Sequence, residues 1–302
     1  MKKGLLFVVL LWMACSMQQP ACAQPTVALV ISGGGAKGAA AIGTLKYIEK
    51  SGIPIHLVVG TSAGSIVGGL YAYGYRADQL DSIYRAQDWR RLLSDFDPSP
   101  RVKFRERQAL PSLMSGERFL EKADDLLGHT SCHFDNLKIP LRCVSVDILH
   151  FKEVCLDSGN VATAMRASMS IPIFFRPVKK DSMELIDGGL LNNLPVDVAR
   201  NLGADYVIAI DLMDAKRAEQ ETRHEIRSYG LPAILAWQYA RPDLDKYRAN
   251  REDADLLIHP DVSGFSGSSF SDEDTEELIR RGEQAGQEAW EELMRLKEKI
   301  AK

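Results

Sequence analysis

The sequence predicts an α/β layer fold with a mostly parallel central sheet. Apolar segments rich in β-branched residues alternate with helical segments along the chain, and two strands near the start each lead through a glycine-containing turn into a helix. Unbroken apolar strands are typical of a parallel sheet, because helices cover both of its faces. The chain has 302 residues, of which 45% are hydrophobic, so it can bury a core of this size.

The first strand leads into a glycine-rich loop. Residues 26–32, TVALVIS, predict a strand that is buried on both faces. A helix is predicted over residues 39–50, stopped by the Ser51-Gly52 pair. The loop between strand and helix reads Gly33-Gly34-Gly35-Ala36-Lys37-Gly38.

Two functions fit this glycine loop. Gly33, Gly35 and Gly38 match the G-x-G-x-x-G dinucleotide fingerprint, but the following strand ends in Val59-Gly60, without the acidic residue that would bind a ribose. Alternatively, backbone N–H groups at the start of a helix would stabilise an oxyanion, aided by the helix dipole. We therefore predict an oxyanion hole, and dinucleotide binding is the alternative.

The second unit places a serine at a sharp turn. Residues 53–73 read as a strand, a tight turn and an apolar helix, and the turn is Gly60-Thr61-Ser62-Ala63-Gly64. This G-x-S-x-G pattern between a strand and a helix is typical of a nucleophile elbow. Gly60 and Gly64 would leave room for neighbouring chain segments that pass close to the turn. Ser62 is thus the predicted nucleophile.

The rest of the chain continues the alternation of helices and strands. Helices are predicted over residues 77–94, 117–127, 161–168, a segment ending at 201, much of 216–250, and 272–302, which Ser271 or Asp272 would cap. Strands are predicted over residues 141–149, 152–156, 183–186, 206–212 and 255–258, and the Gly/Ser stretch 264–271 is predicted to be flexible.

A serine nucleophile needs a base, and two arrangements fit the sequence. A hydrolase triad in the order Ser, acid, His would use His259 with Asp187 or Asp211. Alternatively, Asp187 would act directly, because it ends a predicted strand and is followed by two glycines that leave space for close approach. An Asp-Gly turn of this kind also occurs without any catalytic function.

Three motifs together resemble the patatin-like phospholipases, in particular exported bacterial members. They are the glycine loop, the serine elbow and Asp187-Gly188-Gly189, in the same order and with similar spacing. Two further stretches are similar to the family: Ala167-Ser168 followed by Ile171-Pro172, and Asn192-Asn193-Leu194-Pro195. The resemblance covers residues 26–212. It implies a three-layer α/β/α fold and one hydrolase domain over residues 24–302, with a motif core at 26–212 and a C-terminal helical part at 213–302.

The resemblance also implies a mechanism. Ser62 would be the nucleophile and Asp187 the proton acceptor of a Ser-Asp dyad, with the glycine loop as oxyanion hole. The substrate would be a phospholipid or another acyl lipid, met in transient contact with a membrane surface and hydrolysed through an acyl-enzyme. Neither a metal nor an organic cofactor is implied. The alternative from another class of function is a domain that binds a lipid or a dinucleotide without catalysing a reaction.

The apolar residues of the elbow helix have two interpretations. They either line an acyl-binding site or only pack the helix on the sheet; they are Ile66, Val67, Leu70 and Tyr71.

The N-terminus has the features of an export signal. Met1-Lys2-Lys3 is a basic start, an apolar run covers residues 5–14, and Ala21-Cys22-Ala23 has the small-x-small form of a signal-peptidase site. The apolar run is too short to be a permanent membrane span. We therefore predict cleavage of residues 1–23 and a protein that is periplasmic, outer-membrane-associated or secreted. A lipoprotein acylated at Cys15 or Cys22 is the alternative.

Charge and cysteine content narrow the function further. The formal net charge is −4, which does not predict a nucleic-acid partner. Cys132, Cys143 and Cys155 follow the predicted signal, and an odd number does not describe a disulfide framework. Cys143 and Cys155 are predicted to be buried packing residues, with a bridge between them as the alternative. We predict no metal site, and no C-x-x-C spacing occurs.

Overall fold

A computed structural model describes residues 25–96, 102–104, 108–110, 112–128, 132–214 and 244–302. The predicted signal peptide with Cys15 and Cys22 lies outside these ranges, as do residues 216–243 of the largely helical segment predicted over residues 216–250. Within them, no helix is both long and apolar enough to span a membrane.

Eight of the described strands form one mixed sheet. They are β1 (Val27–Ile31), β2 (Leu57–Thr61), β5 (Leu141–Asp147), β6 (Lys152–Leu156), β7 (Val178–Lys180), β8 (Met183–Asp187), β9 (Tyr206–Ile210) and β10 (Leu256–Ile258). The order is β10-β9-β1-β2-β5-β8-β7, with β6 on the opposite edge of β5. A short separate ladder joins β3 (Val102–Phe104) to β4 (Gln108–Leu110).

The sheet is parallel from β10 to β5 and antiparallel beyond it. Strand β2 pairs with the first half of β5, and β8 continues along the same edge with the register Ser145 to Asp187. Because β8 runs antiparallel to β5, its last residue, Asp187, lies beside Ser145 in the middle of β5. This reversal brings Asp187 towards the turn that follows β2.

Helices cover both faces of the sheet. The ten described helices are α1 (Gly38–Ser51), α2 (Ala63–Tyr73), α3 (Ala77–Ala86), α4 (Trp89–Leu92), α5 (Glu117–Leu126), α6 (Val161–Ser168), α7 (Val196–Asn201), α8 (Leu244–Asp253), α9 (Asp272–Glu288) and α10 (Trp290–Ile300). In β1, Leu29 and Ile31 belong to the core shared with α1, α2, α6 and α9. Ala28 and Val30 belong to the core shared with α7 and α8. The prediction of a three-layer α/β/α fold is confirmed.

Two predicted helices are each divided in the structure. The helix predicted over residues 77–94 is interrupted at Gln87 and Asp88, and the Asp88 carboxylate caps α4 by accepting from the Arg91 N–H at 3.0 Å. The helix predicted over residues 272–302 is divided at Ala289 into α9 and α10. Of the two caps that the sequence allowed, Ser271 and Asp272, it is the Ser271 hydroxyl that caps α9, by accepting from the Asp274 N–H at 3.0 Å.

Helix α9 crosses α1 at very short range. A Cβ atom at Gly43 would lie 2.0 Å from the Ile279 carbonyl oxygen, and one at Gly282 would lie 1.9 Å from the Ala40 carbonyl oxygen. Only glycine at these positions allows the two backbones to approach so closely. Since α1 begins at the glycine loop, this contact brings the segment just before α9 to the same loop.

Candidate active site

Ser62 lies at the turn between β2 and α2 with a strained backbone. Its φ of 53° and ψ of −122° are unfavourable for a residue with a side chain. The flanking glycines cannot be replaced, because a Cβ at Gly60 would lie 2.5 Å from the Gly64 carbonyl oxygen and one at Gly64 would lie 2.1 Å from that of Ile31. The local geometry is that of a nucleophile elbow.

Hydrogen bonds hold this strained backbone on both sides. The Ser62 N–H donates to the Ser168 hydroxyl at 2.9 Å, and that hydroxyl donates to the Val144 carbonyl at 2.6 Å. The Ser62 carbonyl accepts from the Ser65 N–H at 2.9 Å and from its hydroxyl at 2.6 Å. The turn is thereby connected to β5, to the end of α6 and to the first turn of α2.

Asp187 meets Ser62 from the end of β8. Both residues line the same cleft, and the buried Asp187 carboxylate accepts from the Gly189 N–H at 2.7 Å. Its own N–H donates to the Ser170 carbonyl at 2.9 Å. Burial disfavours the charged form and raises the pKa of Asp187 to about 6, although hydrogen bonding by the Ser62 side chain and the Gly189 N–H acts on the pKa in the opposite direction. A carboxyl with this pKa can exchange a proton near neutral pH.

The glycine loop offers two N–H groups to a ligand. The Gly33 N–H donates to the Asn193 carbonyl at 3.2 Å, and the Ala36 N–H donates to the Gly267 carbonyl at 2.9 Å. The N–H groups of Lys37 and Gly38 are bonded within the loop itself. Within the described ranges, the N–H groups of Gly34 and Gly35 have no acceptor, and both residues line the cleft beside Ser62.

The set of available oxyanion donors is smaller than the whole glycine loop that the sequence predicted. Among the backbone N–H groups of Gly33 to Gly38, only those of Gly34 and Gly35 lack an acceptor in the described part of the chain, so the Ala36 N–H is not available as an oxyanion donor. Gly33 has a steric role, since a Cβ there would lie 3.0 Å from the Ser62 Cβ.

Asn193 joins the glycine loop to the Asp187 turn. Its carbonyl accepts from the Gly33 N–H, and its Nδ2 donates to the Gly33 carbonyl at 3.3 Å. Its Oδ1 lies 2.8 Å from where a Gly189 Cβ would be. The preceding residue, Asn192, accepts a hydrogen bond from the Thr61 hydroxyl at 2.9 Å, next to Ser62. These contacts fix the three motifs relative to one another.

A cleft of about 860 Å³ lies against Ser62 and Asp187. Its wall is mainly apolar and includes Ile66, Leu93, Met114, Met169, Phe175 and Phe270. Gly267, Ser268 and Phe270 bring the Gly/Ser segment into this wall, where the Gly267 carbonyl accepts from Ala36. The size and polarity of the cleft suit an acyl chain.

The family assignment follows from comparison with known sequences. The family model described as Patatin-like phospholipase matches residues 29–200, which is more than half of the chain. The chain belongs to this family. The match contains the glycine loop, Ser62 and Asp187, so the cleft is formed mainly by the matched part of the chain, together with Met213 and the segment before α9.

Several patatin-like relatives are much longer than this chain. It is 33% identical over 229 residues to the mouse Patatin-like phospholipase domain-containing protein 6. The alignment covers 74% of this chain and 16% of the relative. It is 32% identical over 188 residues to an uncharacterized NTE family protein of Mycobacterium bovis. That alignment covers 62% of this chain and 49% of the relative. Among solved structures, the chain is similar to VipD from Legionella pneumophila, with 16% sequence identity and a TM-score of 0.46. The superposition covers 89% of this chain and 67% of the VipD chain.

His259, the histidine of the alternative triad, lies in another polar cluster of this patatin-like chain. Its Nδ1 is 3.0 Å from the Asp211 carbonyl oxygen, and the buried Asp211 carboxylate accepts from Tyr247 and Arg251. Neither His259 nor Asp211 lines the cleft that contains Ser62. The geometry therefore favours a direct partnership between Ser62 and Asp187.

The elbow helix contains residues that fit each of the two interpretations given by the sequence. Of the four apolar residues of the elbow helix, Ile66 lines the cleft, whereas Val67 and Leu70 are buried in the core and Tyr71 packs against it. The sequence assigned no role to Ser168 or Asn193, although both lie in stretches that resemble the family.

The cysteine prediction needs one correction. Cys143 is buried, but Cys155 is exposed and the two are not bridged. In the β5–β6 ladder Cys143 is opposite Leu156 and Cys155 is opposite Val144, so the two cysteines point to opposite faces of the sheet. Among the residues described, no group of His, Cys, Asp and Glu side chains could hold a metal ion.

Proposed function

We propose that this protein is a lipid acyl hydrolase that cleaves carboxylic esters with Ser62 as nucleophile and Asp187 as general base. The observation that supports this most directly is that Ser62, on a strained turn, and the buried Asp187 carboxylate line the same apolar cleft, with the Ser62 side chain close enough to lower the pKa of Asp187. A serine hydroxyl becomes an effective nucleophile when an adjacent base accepts its proton.

The reaction has two stages. The Ser62 Oγ forms a bond to the ester carbonyl carbon while its proton passes to Asp187, and the N–H groups of Gly34 and Gly35 stabilise the oxyanion. The C–O bond then breaks, and protonated Asp187 gives its proton to the departing alcohol or lysolipid. Water attacks the acyl-enzyme with Asp187 again as base, which releases the fatty acid and restores Ser62. Each oxyanion donor contributes roughly 3 kcal/mol to stabilising the transition state.

The proposed substrate is a phospholipid or a related acyl lipid at a membrane surface. The apolar wall of the cleft suits the acyl chain, and Phe174 both lines the cleft and is 48% exposed. Exposed apolar side chains at the entrance would contact the acyl region of a bilayer while one lipid enters. Phe96 and Leu113 are also exposed, and the bridges from Phe96 to Met114 and from Met114 to Phe175 keep their segments beside this entrance.

We also propose that the chain is exported. The support is the sequence of residues 1–23, with its basic start, apolar run and Ala21-Cys22-Ala23 site. Intact mass of the protein purified from its native host tests this proposal, since cleavage predicts Gln24 as the first residue. A mass that includes a lipid on Cys15 or Cys22 would instead identify a lipoprotein.

A substrate panel tests the enzymatic proposal. Phospholipids, lysophospholipids and simple esters are offered to the wild type and to Ser62→Ala, and far-UV circular dichroism checks the fold. We expect fatty-acid release by the wild type and none by the variant. Lipid binding without release by either protein would favour the non-catalytic lipid-binding alternative, and tight NAD binding without release would favour the dinucleotide alternative.

A further inference from the structure

Helix α4 brings one cation to the edge of the catalytic cleft. Trp89, Arg90 and Leu93 all line the cleft, and Arg90 is the exposed residue among them. Trp89 is anchored, because its Nε1 donates to the Tyr84 carbonyl at 3.0 Å and its ring lies 4.4 Å from the Tyr84 ring, centroid to centroid. The anchor fixes the backbone of Arg90 at the entrance.

The charges around Arg90 favour an anionic ligand. Lys37 is a second cation in the cleft wall, and Asp187 is the one carboxylate among the described residues that line it. Asp187 is buried and already accepts from the Gly189 N–H. Across the described part of the chain, no hydrogen bond or ion pair involves the Arg90 guanidinium, whereas that of Arg85 pairs with Asp81.

We propose that Arg90 forms a subsite for the phosphate group of a phospholipid headgroup at the entrance of this cleft, a proposal that rests on the lipid acyl hydrolase function. A guanidinium presents several N–H donors in one plane and binds phosphate oxygens in pairs. Trp89 and Leu93 on either side would contact the apolar part of the same lipid. The site thus selects an ester that carries both an acyl chain and a phosphate, in preference to a neutral glyceride.

Two short-chain substrates that differ in the phosphate test this subsite. Dihexanoyl phosphatidylcholine and dihexanoylglycerol are used at concentrations at which both are monomeric, so that no lipid surface contributes. The matched control is Arg91→Gln, since Arg91 is also exposed on α4 but does not line the cleft. In Arg90→Gln we expect the ratio of kcat/KM for the phospholipid to that for the glyceride to fall about tenfold. In Arg91→Gln this ratio should stay at the wild-type value.

An equal fall of the ratio in both variants, or an unchanged ratio in Arg90→Gln, would overturn the proposal. Binding of dihexanoyl phosphatidylcholine to Ser62→Ala, with and without Arg90→Gln, tests the subsite even if neither ester is hydrolysed, and we expect about tenfold weaker binding without Arg90. Inorganic phosphate distinguishes the source of the ligand. If phosphate inhibits glyceride hydrolysis as strongly as the phospholipid binds, and only when Arg90 is present, the site takes free phosphate and the headgroup assignment is wrong.

Discussion

The backbone N–H of Ser62 donates to the hydroxyl of Ser168 at 2.9 Å, which ties the strained elbow to the end of α6. The same hydroxyl donates to the Val144 carbonyl in β5 at 2.6 Å. Ser168 therefore satisfies two buried backbone groups and holds Ser62 at a φ of 53°. A residue outside the elbow thus maintains the backbone conformation that holds Ser62 in the cleft that Asp187 also lines.

Ser168→Ala should lower both stability and turnover. The substitution leaves the Ser62 N–H and the Val144 carbonyl without partners, which costs about 1–3 kcal/mol of unfolding free energy. We expect kcat to fall while KM changes little, because the nucleophile is displaced and the cleft wall is not. The control is Ser51→Ala, which removes a buried hydroxyl that donates to the Ile48 carbonyl at 2.6 Å and does not line the cleft. Equal loss of stability in both variants with normal kcat in Ser168→Ala would limit Ser168 to a structural role.

Asn193→Ala should lower kcat more than it raises KM. The Asn193 side chain holds the Gly33 carbonyl, and its loss would let the Gly34 and Gly35 donors move away from the oxyanion. Removing one oxyanion donor outright lowers kcat by about 10²–10³, so we expect a displaced loop to lose about tenfold or more. Steady-state kinetics on a soluble ester checks this. A raised KM with unchanged kcat would identify Asn193 as a substrate-binding residue instead.

The rate should depend on deprotonation of Asp187. Its pKa is about 6, so below that pH the carboxyl is protonated and cannot accept the Ser62 proton. The profile of kcat/KM for a soluble ester should therefore fall on the acid side of about pH 6 with the slope of a single proton. His259→Ala should keep this limb, since His259 contacts Asp211 and not Ser62. Loss of the limb in that variant would restore the triad.

The raised pKa of Asp187 also predicts a stability effect with a definite sign. The folded protein binds this proton below about pH 6 and the unfolded chain only below about 3.8, so stability falls as pH rises between these values. In Asp187→Asn the side chain at this position cannot ionise, so the variant does not lose this unfolding free energy as pH rises. Relative to the wild type, the variant should gain up to about 3 kcal/mol of unfolding free energy between pH 4 and pH 7. Urea unfolding at both pH values measures the difference, and a constant offset would contradict burial of the charge.

The sequence was informative where short motifs directly follow apolar strands. Ser62 and Asp187 each lie in a glycine-bounded turn at the end of a strand, and such turns can be recognised locally. The reversal of β8 against β5, which brings Asp187 to Ser62, depends on long-range pairing and was not contained in any one motif. The predicted mostly parallel sheet is accordingly parallel on one side and antiparallel on the other.

The least predictable part of the site is the segment before α9. Its composition suggested a flexible stretch, yet the Gly267 carbonyl accepts from Ala36 and Phe270 lines the cleft. This contact arises because Gly43 and Gly282 allow α1 and α9 to cross closely, and two glycines far apart in sequence do not reveal that they meet. Asp88 did carry a local signal for the break between α3 and α4, since aspartate is a common N-cap.

The most direct test of the Ser62–Asp187 dyad is the rate of covalent labelling by a fluorophosphonate, with the labelled peptide identified by mass spectrometry. The dyad predicts labelling of Ser62 in the wild type, none in Ser62→Ala, and labelling slowed by about 10²-fold or more in Asp187→Asn. His259→Ala should react at close to the wild-type rate. Rapid labelling of Ser62 in Asp187→Asn, together with loss of labelling in His259→Ala, would contradict the account.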